Sequence, residues 1–178
     1  MKLDNVKKIV KEELQKHFKN HPYSLEDEMI ITNEVMLGEL LNPNHAYLYV
    51  EEGNGVWSYK DMNDVKFIVR LTYQPTSNPY LEFKTGWINP EGKIQYEPSI
   101  PPISPNSSAI DWDKRSDTVA KIYKDEILPF FKQQTLTDTM VIKPISSSRM
   151  KFAERLVKKF TPKDFTVDFK NKEITIKK

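Results

Sequence analysis

The 178-residue chain has no cysteine, which excludes disulfides, thiolate nucleophiles, iron–sulfur clusters and cysteine-based zinc sites. Apolar residues make up 38% and aromatics 11%, enough to build a core and to exclude a disordered chain, and the length fits one domain spanning 1–178. The formal charge of +2 hides an uneven spread: six lysines against three acids in residues 1–20, ten basic against eighteen acidic in 21–142, and eleven against four in 143–178.

Residues 1–21 predict an N-terminal amphipathic helix. Leu3, Val6, Ile9, Val10, Leu14 and Phe18 recur at helical spacing, and Pro22 stops the run. No apolar run nears the roughly 18 residues of a bilayer span, and charge from Lys2 onward leaves no room for a signal peptide. A cytoplasmic protein with no membrane partner is expected.

Residues 28–97 read as sheet-rich. Tyr47 and Tyr49 alternate with Leu48 and Val50, and Gly53-Asn54-Gly55 turns the chain into Val56–Lys60. Lys66–Tyr73 alternates strongly, and Tyr80–Ile88 pairs with Lys93–Glu97 through Asn89-Pro90-Glu91-Gly92. Residues 98–112 form a Pro/Ser-rich loop, with four of the twelve prolines in residues 98–108.

Residues 113–178 read as helix, strand, helix and hairpin. Ser116 or Asp117 is the expected cap of a central helix that Pro129 ends or bends. Thr139–Lys143 is a strand, Arg149–Phe160 a helix, and Phe165–Phe169 with Glu173–Ile176 a closing hairpin. The expected fold class is α+β: an antiparallel sheet of about four to six strands, flanked by N-terminal, central and C-terminal helices.

Four constellations could carry chemistry. His17 and His21 are four residues apart and could hold zinc with His45, although a surface pair at a helix end explains them as well, and no metal site is assigned. Asp111, Asp113 and Asp117 surround Trp112 and could bind a cation, while Asp113 and Asp117 also suit a helix N-terminus, where negative charge is favoured. Strand alternation puts Glu82 and Lys84 on one face, and with Asp64 they could hold Mg²⁺ and orient a water. That set resembles the PD-(D/E)xK nuclease superfamily, which implies a metal-dependent nuclease. Asp64 is not preceded by proline, however, and Asn89-Pro90 starts a hairpin where that fold moves to a helix.

The fourth constellation is basic. Lys143 ends a strand, and Ser146, Ser147, Ser148 and Arg149 open a helix, where amides, hydroxyls and a guanidinium suit a phosphate or carboxylate. Arg155, Lys158 and Lys159 continue the charge, which makes nucleic acid an alternative partner. Asp117–Phe160 is similar to small uncharacterised phage-encoded α+β proteins, and the host-cell cytoplasm would then be the location. The strand–helix part also looks like the end of an acetyltransferase, but Ser146–Arg149 lacks the glycine of the acyl-CoA loop.

With no complete catalytic set, the first expectation is a non-enzymatic interaction or accessory protein, for which the resemblance implies a phage or mobile-element origin. Its partner would be another protein or a second copy, its interface anchored by Trp57, Trp87 and Trp112, and it would need no cofactor.

Overall fold

The computed structural model describes residues 41–96, 101, 111–144, 146–170 and 172–178. The expected N-terminal helix, the pair His17 and His21, and most of the Pro/Ser-rich loop lie outside them.

The strands are β1 (Tyr49–Gly53), β2 (Val56–Lys60), β3 (Lys66–Gln74), β4 (Tyr80–Ile88), β5 (Ile94–Tyr96), β6 (Thr139–Ile142), β7 (Thr166–Lys170) and β8 (Glu173–Lys177). One helical run, α1, covers residues 112–133. It comprises an α-helical stretch Trp112–Ile122, a π turn Tyr123–Ile127 and a second α-helical stretch Leu128–Gln133. The second helix, α2, is Ser147–Phe160.

All eight strands join one sheet, in the order β1-β2-β3-β4-β6-β8-β7, with β5 also paired to β4. This corrects the expected fold class. The sheet is larger than four to six strands, it is mixed, and only two helical runs accompany it among the described residues. The mixing arises at β6, which runs parallel to β4 because α1 returns the chain to the same end of the sheet. The terminal hairpin β7–β8 is part of the sheet, since β8 pairs antiparallel with β6.

Alternation explains which side the helices cover. Phe67, Val69 and Leu71 of β3 stand opposite Trp87, Thr85 and Phe83 of β4. These residues, except Thr85, share one buried cluster with Trp57, Tyr59, Met140, Ile142, Ile174 and Ile176. α1 adds Val119, Ile122, Tyr123, Ile127 and Phe131 to that cluster, and α2 adds Ala153, Leu156 and Val157. The other strand positions, including Arg70, Thr72, Glu82 and Lys84, face the opposite side of the sheet.

Two local expectations change. The cap of α1 is Asp111, whose carboxylate accepts from the Lys114 amide at 2.9 Å; Ser116 and Asp117 lie inside the helix. Pro129 does not end the run. Ahead of it the Leu128 amide bonds five residues back to the Tyr123 carbonyl, and the wider turn carries the helix past a residue that cannot donate. Gly53-Asn54-Gly55 makes the β1–β2 turn with three successive positive φ values, 85°, 53° and 72°.

Candidate functional site

The β4–β6 ladder is short. It runs from Leu81↔Met140 to Phe83↔Ile142 and stops, while β5 takes the same edge of β4 from Gly86 onward. The sheet therefore forks at Lys84 and Thr85. The carboxyl ends of two parallel strands diverge there, with α1 and α2 packed alongside, a common place for a ligand in sheets with parallel strands.

A cleft of about 370 Å³ opens at this fork. Its walls include Glu82, Lys84 and Thr85 of β4, Tyr96 of β5, Arg115 and Val119 of α1, and Ile142, Lys143, Arg149 and Phe152 from β6 to α2. Among the described residues four cationic residues and one carboxylate line it: Glu82 and Lys84 come from β4 positions that alternate with the core, Lys143 follows Ile142 at the end of β6, and Arg115 and Arg149 come from the helices.

Each polar group is held in place. Glu82 is nearly covered, and its Oε2 accepts from Lys84 Nζ at 2.8 Å and from Gln74 Nε2 at 3.0 Å. Lys143 Nζ lies 2.7 Å from the Tyr80 hydroxyl and 4.7 Å from its ring centroid. The Tyr80 hydroxyl holds the Lys143 ammonium above its ordinary pKa, with help from Glu82 and Glu173 and against the effect of burial. Arg115 is buried, its guanidinium 3.8 Å from the Phe67 ring centroid and 4.5 Å from that of Trp112. A guanidinium is weakly hydrated, so a place against two aromatic rings suits it.

The residues expected from the sequence separate into groups. Glu82 and Lys84 do share a face and meet, but Asp64 is not with them. It sits at the β2–β3 turn at positive φ, paired with Lys60 at 2.7 Å. Glu82 stands opposite Thr72, eight residues from Asp64, so roughly 26 Å of strand separates the two acids. Among the described residues no group of three His, Asp or Glu is placed to hold a metal ion.

Lys143 and Arg149 line the cleft, and Ser147 and Ser148 form the first turn of α2 behind its Ser146 cap. Arg155, Lys158 and Lys159 do not line it. Lys158 pairs with Glu154 at 3.5 Å and lies over the Phe169 ring, while Lys159 donates to the Leu41 carbonyl at 2.7 Å. Trp57 and Trp87 are core residues, 1% and 7% exposed, and only Trp112 is partly open. Asp117 is buried and accepts from the Asn42 amide at 2.7 Å, with His45 Nδ1 at 3.0 Å, so it anchors a loop and takes no part in the cleft.

Sequence reasoning missed Arg115 and Tyr96. A signal for the first existed: Arg115 lies four residues before Val119 and seven before Ile122, on the apolar stripe of its own helix. No helix among the described residues is long and apolar enough to cross a membrane. Comparison with protein-family models, with curated proteins and with solved structures yields no match.

Proposed function

We propose that the protein binds a phosphate-bearing ligand in the cleft where β4 and β6 part. One observation carries this reading: four cationic residues, Lys84, Arg115, Lys143 and Arg149, line the cleft, and Glu82 is the acidic residue among its described lining. Arginine offers paired donors to a phosphate and lysine a mobile point charge, and both form charge-assisted bonds stronger than neutral ones. The first turn of α2 opens beside Arg149 and supports the same preference. An expected cytoplasmic setting, where such ligands are abundant, belongs to this reading.

Calorimetric titration with inorganic pyrophosphate is the test. The wild-type chain is expected to bind, more weakly as salt rises. The double variant Lys84→Ala/Lys143→Ala is expected to lose about tenfold or more in affinity, each charged contact contributing about 1.5–3 kcal/mol. Equal affinity in the two proteins would overturn the proposal.

A second reading is acyl transfer from coenzyme A, against which stands the absence from Ser146–Arg149 of the glycine of an acyl-CoA loop. Residues 139–160, the part similar to the end of an acetyltransferase, supply one wall of the cleft, and β4 and β6 run parallel into it. Coenzyme A carries phosphates and so falls within the proposed ligand class. Release of free thiol from acetyl-coenzyme A in the presence of amine acceptors would favour transfer, and binding without release would favour a binding protein.

Protein binding through tryptophan anchors is the weaker reading, because Trp57 and Trp87 are packed in the core. A nuclease built on Asp64, Glu82 and Lys84 is weaker still, given the separation of Asp64.

A further inference from the structure

We infer that the ligand of this cleft is a nucleotide, its base stacked on Tyr96 and its phosphates held by the cationic wall. The inference rests on the phosphate reading above and adds the aromatic half of the ligand. Tyr96 is the one aromatic from β5 in the cleft wall, and it remains 38% exposed. Its position is fixed from two sides. In the β4–β5 ladder it stands opposite Gly86, and a Cβ added at Gly86 would lie 3.3 Å from its Cδ1 and 2.5 Å from the Gln95 carbonyl oxygen. The ring therefore packs where only glycine leaves room.

Two cations complete the arrangement. Arg70 Nη1 donates to the Tyr96 hydroxyl at 3.3 Å, and Lys84 Nζ lies 5.5 Å from the ring centroid. Lys84 also lines the cleft, so charge and aromatic surface lie within one side chain's length of each other. A ring held in this way has lost little freedom on receiving a flat partner, and stacking is open to any base. The cleft volume of about 370 Å³ suits one nucleotide and not a wrapped strand.

The experiment compares pyrophosphate, ADP and a ten-nucleotide single-stranded DNA on the full chain by calorimetry. ADP is expected to bind about fivefold or more tighter than pyrophosphate. Tyr96→Ala is expected to remove that advantage and leave pyrophosphate within about twofold, while Tyr96→Phe, which keeps the ring, retains it. A thermal melt of each variant checks folding, and Tyr96→Leu replaces Tyr96→Ala if the latter melts early. If pyrophosphate does not bind, the phosphate reading fails. If pyrophosphate binds but ADP is no tighter, or if Tyr96→Ala weakens both equally, the base-stacking inference fails alone. Binding of the DNA strand without binding of ADP also overturns it.

Discussion

Glu82 and Lys84, two residues apart on the same face of β4, form an ion pair of 2.8 Å at the mouth of the cleft. The carboxylate occupies the ammonium that would otherwise meet an anion. Glu82→Gln keeps the shape and removes the competing charge. Pyrophosphate affinity is therefore expected to rise about threefold to tenfold, measured by calorimetry at low salt. A nuclease using Glu82 as a metal ligand would predict the opposite, loss of function in the same variant.

Gly86 is the second place where one atom decides. A Cβ there would meet the Gln95 carbonyl at 2.5 Å, a backbone atom that cannot rotate away. Gly86→Ala is expected to push β5 off β4 and carry Tyr96 with it. The rest of the sheet holds, because β3 and β6 pair with β4 elsewhere. ADP binding is expected to fall about fivefold or more with pyrophosphate nearly unchanged, and amide exchange is expected to quicken at Ile94–Tyr96.

Asp117 ties the segment around the 3₁₀ turn Pro43–His45 to α1. Its carboxylate accepts from the Asn42 amide, and its neighbour Thr118 accepts from the Tyr47 amide at 2.8 Å through Oγ1. Asp117→Ala removes a buried carboxylate that accepts from the Asn42 amide and meets His45, and is expected to cost about 1–3 kcal/mol in urea unfolding. The added exchange is expected to concentrate in residues 42–47, while pyrophosphate affinity stays within about twofold. Loss of binding instead would assign Asp117 to the cleft.

The local pattern of the sheet was readable and its partners were not. Alternation over Lys66–Tyr73 and Tyr80–Ile88 marks two strands and puts Glu82 beside Lys84, because a period of two is a property of the strand alone. Nothing local in Thr139–Ile142 says that it pairs with a strand some sixty residues earlier, or that the pairing is parallel. The cleft follows from that pairing, so its existence was hidden while Lys143 and Arg149 were visible as charges beside a helix start. The start of α1 was misplaced for a related reason. Asp111, Asp113, Ser116 and Asp117 can all cap a helix, and the choice was made by tertiary contacts: Asp117 is used by Asn42 and His45, which leaves Asp111 at the terminus.

The buried and half-buried tyrosines predict an alkaline limit to stability. Burial raises the phenol pKa of Tyr49, Tyr59 and Tyr123 above the ordinary value near 10, and at Tyr49 the carboxylate of Glu126, 2.7 Å away, adds to the shift. A raised folded-state pKa contributes fully below pH 10 and is lost as pH climbs from there through the folded value. In that window the unfolded chain sheds phenol protons that the folded chain retains, so unfolding is favoured. Tyr123 is fully buried, with its hydroxyl 2.6 Å from Thr161 Oγ1. Tyr123→Phe is expected to lower stability at neutral pH by about 1 kcal/mol through that lost bond. Above pH 10 it is expected to make the decline shallower by up to about 1.4 kcal/mol per pH unit, the share of one proton. Urea titrations from about pH 8 to about pH 11.5 on both proteins would show the two stability curves converging. Parallel curves would mean that Tyr123 does not hold its proton in the folded state.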